Sequence, residues 1–144
     1  MKVESFQIKN FKIHVKTEGF SDIHDLTEEA AMKIRESGIQ QGQATFFVTG
    51  STAGLTTVEY EPGLVKDLEE LFERIAPQDK YYHHEEAWHD GNGFSHVRAS
   101  LLKPSLTVPV ADGKMALGTW QQVVLIDFDN RPRTRDILLQ LIGQ

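Results

Sequence analysis

Leu55-Thr56-Thr57-Val58-Glu59-Tyr60-Glu61-Pro62-Gly63-Leu64-Val65-Lys66-Asp67-Leu68-Glu69-Glu70-Leu71-Phe72-Glu73-Arg74-Ile75 decides the fold. Its first six residues are β-prone. Pro62 then stands where a first helical turn accepts a residue without an N–H, and Leu64, Leu68, Leu71, Phe72 and Ile75 form an apolar stripe that stops before Pro77. A strand followed by a helix is predicted. Upstream, Ala44 to Val48 is apolar and rich in β-formers, and Thr49-Gly50-Ser51-Thr52-Ala53-Gly54 connects it to the Leu55 run. An earlier helix is signalled by Asp25-Leu26-Thr27-Glu28, which has capping-box spacing, by Leu26, Ala30 and Ile34 at helical intervals, and by Gly38 at its close. At the start, Lys2 to Lys9 and Phe11 to Lys16 alternate on either side of Asn10 and read as an antiparallel strand pair. Phe11, Ile13 and Val15 take the core side, which leaves His14 exposed.

Val97 to Leu102 reads as a short helix or a strand ended by Pro104. Three β-like runs follow: Ser105 to Val110, Met115 to Phe128 with a break near Thr119, and Arg135 to Ile142. Asp112-Gly113 and Asp129-Asn130-Arg131-Pro132 are the turns between them. The expected architecture is an α+β fold, one compact domain over residues 1–144, with a largely antiparallel β-sheet packed with two main helices.

The 144 residues suffice to bury roughly two-thirds of the unfolded chain's surface without staples. With no cysteine, disulfides, thiolate zinc sites and cysteine nucleophiles are excluded, so a bound metal would need nitrogen and oxygen ligands. A net charge of −6 argues against nucleic acid as a partner. The first residues lack the apolar core of a signal peptide, and no run approaches the roughly 20 apolar residues of a membrane span. The expected address is the cytoplasm, with no membrane partner.

The densest chemistry lies between Tyr81 and His96, which holds four of the six histidines beside Glu85, Glu86, Asp90 and Asn92. Imidazole and carboxylate together suit zinc and similar divalent ions, and neutral imidazole transfers protons near neutral pH. His84 and His96 are twelve residues apart, so the chain must fold back for them to share a ligand. Failing that, they are solvated or satisfied imidazoles. Asp90 and Asn92 also read as turn residues between Gly91 and Gly93. Glu59, after a strand and before Pro62, is a third ligand, a general base or an exposed charge.

Thr49 to Gly54 could present amides and hydroxyls to a phosphate, yet it lacks the lysine of a Walker loop, and the simpler reading is a strand connection whose Ser51 and Thr52 also line the site. No nucleophile elbow surrounds Ser51. Arg131, Arg133 and Arg135 share one face if they lie in a strand. That comb would bind phosphate, meet acidic residues of another subunit, or form a solvated edge against aggregation, the last being the first choice. Trp120 reads first as a large core or interface residue.

Gly118-Thr119-Trp120-Gln121, preceded by Pro104-Ser105-Leu106-Thr107-Val108-Pro109 and by Asn92-x-x-x-His96, resembles the YjbQ-like family. Ser51-Thr52-Ala53-Gly54-Leu55-Thr56 with Glu59, Tyr82-x-His84 and the closing arginine-rich strand extend the likeness over nearly the whole chain. The resemblance implies a compact α+β fold, assembly as a homotrimer, and a secondary thiamine-phosphate synthase activity. Such a transferase joins a pyrimidine diphosphate to a thiazole phosphate and releases pyrophosphate. By motif position it implies a polar site of Glu59, His84, Asn92 and His96, with Trp120 and Gln121 as neighbours. His83 and His89 stand outside it.

Two expectations follow. In the first, His84, His96 and Glu59 hold a divalent ion, Zn or Mg, while Asp90 and Asn92 orient ligands or water. Ser51, Thr52 and Arg133, with Trp120 and Gln121, then contact a phosphorylated small molecule. In the second, the chain is a noncatalytic ligand-binding or assembly module, with the histidine segment docked on a neighbouring subunit and the Trp120 region at the interface.

Overall fold

The computed structural model describes residues 5–144. The first strand, β1, runs unbroken from Gln7 to Thr17 where a pair was expected, and the part of that expectation before residue 5 lies outside the described residues. No turn forms at Asn10 because the last strand, β8 (Arg133–Gly143), is equally long and pairs with β1 from Gln7↔Gly143 to Thr17↔Arg133. Asn10 instead accepts a hydrogen bond from Gln140 Nε2 at 2.9 Å across that ladder. Alternation sends Ile13 and Thr17 inward and leaves His14 outside, against Asp136.

The short strand β2 (Asp22–Asp25) leads into helix α1 (Thr27–Ser37). The Asp25 carboxylate accepts from the Thr27 amide and hydroxyl at 2.9 and 2.6 Å, so it caps the helix without the reciprocal glutamate of a capping box. Gly38, at φ 76°, ends it in the left-handed conformation. Strands β3 (Gln41–Val48) and β4 (Ala53–Val58) follow, then helix α2 (Pro62–Ile75). Glu61 caps α2 by accepting from the Gly63 and Leu64 amides at 2.6 and 2.9 Å, and those bonds hold its carboxyl below the usual range. The remaining elements are α3 (Glu85–Trp88), α4 (Gly93–Leu102), β5 (Ser105–Ala111), β6 (Lys114–Met115) and β7 (Gln122–Asp127).

Every strand pairing is antiparallel. One sheet has the order β1-β8-β3-β5-β6, the other β2-β7-β4. The two sheets face each other across a core of Ile13, Phe46, Leu55, Leu125, Ile137 and Leu139, which Ala30 and Ile34 of α1 complete. The opposite face of the smaller sheet, with Val124, Ile126 and Phe128, is covered by Phe72 of α2 and Ala99 of α4. β7 therefore lies between two apolar layers, which explains why Val123 to Ile126 is apolar without alternation.

The fold is the expected α+β domain; among the described residues four helices form, three of them substantial, where two main helices were expected. α4 begins inside the histidine segment, and its buried Phe94 and Ala99 draw it onto the sheet. The α2 stripe is buried at Phe72 and half-covered at Leu64 and Leu68, with Leu71 and Ile75 left exposed.

Candidate active site

Beyond β7 the alternation continues through Asp127-Phe128-Asp129. Phe128 goes to the helices, while both aspartates are fully buried at the end of the space between the sheets. From β8, Arg133 and Arg135 enter the same space. Asp127 accepts from Arg135 Nε at 2.7 Å, from its Nη2 at 2.9 Å, from the Thr17 hydroxyl at 2.5 Å and from the Asp129 amide at 3.0 Å. Asp129 Oδ2 accepts from Thr52 Oγ1 at 2.8 Å and Arg133 Nε at 3.1 Å, whereas its buried Oδ1 has no partner. Burial pushes the Asp129 carboxyl up, but the Thr52 bond, the Arg133 charge and hydrogen bond and the nearby Asn92 side chain outweigh it, so its pKa lies below the ordinary value.

This is not the solvated edge expected of the arginine comb. β8 is a central strand, so its alternate side chains point into the molecule, and only Arg131, in the turn, is exposed.

The histidine segment folds back over this polar end. Asn92 Oδ1 accepts from the Ser95 hydroxyl at 2.5 Å and from the Asn130 amide at 3.1 Å, stitching the start of α4 to the turn after β7. Asp90 Oδ1 accepts from the Asn92 amide at 3.1 Å, so the turn reading of these residues holds. Gly93 lets Tyr82 and His84 approach α4, since a Cβ there would sit 2.5 Å from Tyr82 Cβ and 3.3 Å from His84 Cβ. Buried Arg98 anchors the same helix, donating to the Ala76 carbonyl at 2.9 Å, to Ser21 Oγ at 3.2 Å and to Glu73 at 2.7 Å.

The outcome is that the His84 and His96 rings lie 4.3 Å apart between centroids, tilted by 33°. His84 Nδ1 is buried without a hydrogen bond, 3.6 Å from Asp90 Oδ1. Burial and then the neighbouring His84 lower the His96 pKa, and Asp90 and Asp129 offset only part of this. His96 is neutral at pH 7. It opens onto a groove of about 310 Å³ between the β3–β4 connection and α4, lined also by Gly50, Ser51, Ala53, Ala99 and Ser100.

Glu59, Trp120 and Gln121 are elsewhere. They sit at the end of the smaller sheet where Val58 pairs with Gln122, while the polar cluster is at the end where Ala53 pairs with Asp127. Five strand steps of about 3.3 Å separate the two ends by ~17 Å. Gln121 holds a local turn, accepting from the Gly118 amide and donating to Thr57 Oγ1, both at 3.1 Å. Trp120 is 72% exposed, so within the chain it is no core residue. Among the described residues, no three His, Asp or Glu side chains are grouped to hold a metal ion. His83 pairs with Glu86 on the surface, and His89, at φ 50°, ends α3.

The sequence reading missed Asp127, Asp129 and Thr17, and ranked Arg135 as an edge residue. A detectable sign was present: two aspartates at alternate positions directly after an apolar β run.

A family model described as UPF0047 protein YjbQ-like matches residues 11–144. A UPF0047 protein of Archaeoglobus fulgidus is 33% identical over 131 residues, covering 91% of this chain and 99% of that protein. Among solved structures, a YbjQ-like protein of unknown function from Sulfolobus solfataricus superposes with a TM-score of 0.91 at 26% identity, covering 97% of this chain and 100% of the other. An uncharacterised conserved protein of the YjbQ/UPF0047 family from Clostridium acetobutylicum gives 0.82 at 30% identity, with 91% and 98% covered.

Proposed function

Because this chain belongs to the YjbQ-like UPF0047 family, and because His96, whose ring meets that of His84, lines a groove whose Gly50–Thr52 wall touches the buried aspartate–arginine pairs, we propose that the groove is the active site of an enzyme acting on a phosphorylated small molecule. The observation that carries this reading is the 4.3 Å approach of His84 and His96 beside Ser51 and the buried Asp129. Unpartnered buried nitrogen and oxygen atoms are unusual unless a ligand, an ion or water completes them.

The finer reading is the thiamine-phosphate synthase chemistry that the family resemblance suggested. There the thiazole nitrogen attacks the methylene carbon of the pyrimidine diphosphate, the C–N bond forms, the C–O bond breaks, and pyrophosphate leaves with the electron pair. The nucleophile loses no proton, so the site's task is to hold and stabilise the leaving anion. The Ser51–Thr52 connection beside the groove and an arginine behind it would supply donors for that anion. The His96 and His84 imidazoles would serve as nitrogen ligands to a divalent cation, which suits Zn better than the oxygen-seeking Mg. Such an ion would offset phosphate charge.

Glu59 completes that ligand set only from another subunit, since its own chain holds it at the far end of β4. A homotrimer is part of the proposal for that reason. The assembly-module alternative draws on one observation, the 72% exposure of Trp120.

The test is elemental analysis of purified protein together with pyrophosphate release from the pyrimidine diphosphate and thiazole phosphate. The expected result is stoichiometric metal and turnover in the parent protein, both abolished in His84→Ala and His96→Ala variants that remain folded. Unchanged metal content and turnover in both variants reject the site.

A further inference from the structure

We propose that Arg135, through its Nη1, is the phosphoryl-binding guanidinium of the groove, with Asp127 and Thr52 as the residues that aim it. The inference rests on the reading of the groove as a phosphate-ester site and names the subsite within it.

Arg135 is only 7% exposed, and two of its three nitrogens are committed. Nε and Nη2 grip the Asp127 carboxylate, and Nη2 also donates to Thr52 Oγ1 at 2.6 Å. No hydrogen bond from Nη1 to a described residue forms, yet Nη1 is not among the buried unsatisfied atoms, so it reaches the surface. It does so at Gly50. A Cβ at that position would lie 2.8 Å from Nη1, and the backbone there, at φ 138°, is one that side chains rarely adopt. Gly50 keeps the space in front of the guanidinium open, at the end of the groove that His96 lines.

The backbone contributes as well. The Gly50, Ser51 and Thr52 amides make no hydrogen bond to another described residue, and the chain bends there without a hydrogen-bonded turn as it crosses from one sheet to the other. Free amides beside a fixed guanidinium and the exposed Ser51 hydroxyl make a donor set for a tetrahedral oxyanion. Arg133 differs: it is one-third exposed, is held by a single nitrogen on Asp129, and lacks a bidentate carboxylate to fix its direction. Because Asp127 and Asp129 balance the two arginine charges, the subsite gains from geometry more than from net charge, so it favours a phosphoryl group already delivered by the rest of a substrate.

The test is a titration with inorganic phosphate, followed by amide and arginine side-chain NMR, on the parent protein and on Arg135→Lys, Arg133→Lys and Gly50→Ala. Both lysine variants keep the charge, so they separate the two forks. The expected result is saturable shifts of the Gly50, Ser51 and Thr52 amides. Affinity should fall about tenfold or more in Arg135→Lys and change by less than about threefold in Arg133→Lys. Should Arg135→Lys fail to fold, Gly50→Ala decides, since its Cβ, 2.8 Å from Nη1, blocks the open side of the guanidinium while keeping the arginine charge and the Asp127 carboxylate. Normal phosphate binding in Gly50→Ala, a loss confined to Arg133→Lys, or no response at residues 50–52 overturns the assignment. Intact phosphate binding without turnover removes the enzymatic reading alone, and turnover without phosphate at residues 50–52 removes this subsite alone.

Discussion

The two ends of the smaller sheet differ sharply. Where Ala53 pairs with Asp127, charged side chains are buried and each finds a counter-charge or hydroxyl; where Val58 pairs with Gln122, the polar and aromatic residues face solvent. Both ends carry motif residues that the sequence reading had placed in one site. The difference teaches that a shared motif list does not imply a shared cavity. One end stores stability in its polar groups and the other does not, because desolvation makes pairing obligatory only where water is excluded.

Asp127→Asn should break the contrast most strongly. It leaves the Arg135 charge buried without its counter-ion, and a loss of about 3–5 kcal/mol is expected in urea unfolding. A loss below about 1 kcal/mol would mean the cluster is wetter than its burial implies.

Gly93→Ala comes next. The added Cβ meets Tyr82 and His84, so a cost of about 1–3 kcal/mol is expected, together with perturbed His84 and His96 imidazole resonances. Unmoved resonances would show that the histidines do not depend on this approach.

The pH response sharpens the comparison further. Burial lowers the His96 pKa from 6.5, so between its folded and unfolded values the unfolded state binds more protons. Stability is then complete above the unfolded value and falls as pH drops through it towards the folded one. The lowered Asp129 pKa acts in the same sense further down: its contribution is lost as pH falls through its folded value, below 3.8. Unfolding titrations of the parent and His96→Asn should differ in slope just below pH 6.5, with the variant flatter. Identical slopes would count against a half-buried, neutral His96.

Glu59→Gln and Trp120→Ala should matter least, each within about 0.5 kcal/mol for the isolated chain. A large, concentration-dependent loss for Trp120→Ala would show instead that this end is covered by another copy of the chain.

Much of the fold was legible. Pro62 and the stripe after it defined α2, Asp25 and Gly38 bracketed α1, and Asp112-Gly113 turned β5 into β6. The false turn at Asn10 arose because a polar residue on the solvent face of a long strand resembles a loop residue; only the length of β8 resolves it. α4 was ambiguous because Val97 to Leu102 offers too few residues to fix a period, and its first turn hides among glycines and histidines. Within the site, His84 and His96 were legible as chemistry but not as neighbours. Asp129 was read as turn punctuation and Asp127 as the end of a β run, since nothing local distinguishes an aspartate at a turn or strand end from one buried against an arginine.

By itself the sequence determined most element types, α4 excepted, the largely antiparallel character of the sheet and the inventory of reactive side chains, because these follow from local periodicity and residue chemistry. Only the tertiary structure decided which of those side chains share a cavity. That choice depends on strands and helices distant in sequence packing their apolar faces, which buries Arg135 on Asp127, brings two imidazoles together over them, and leaves Glu59 at the other end of its strand.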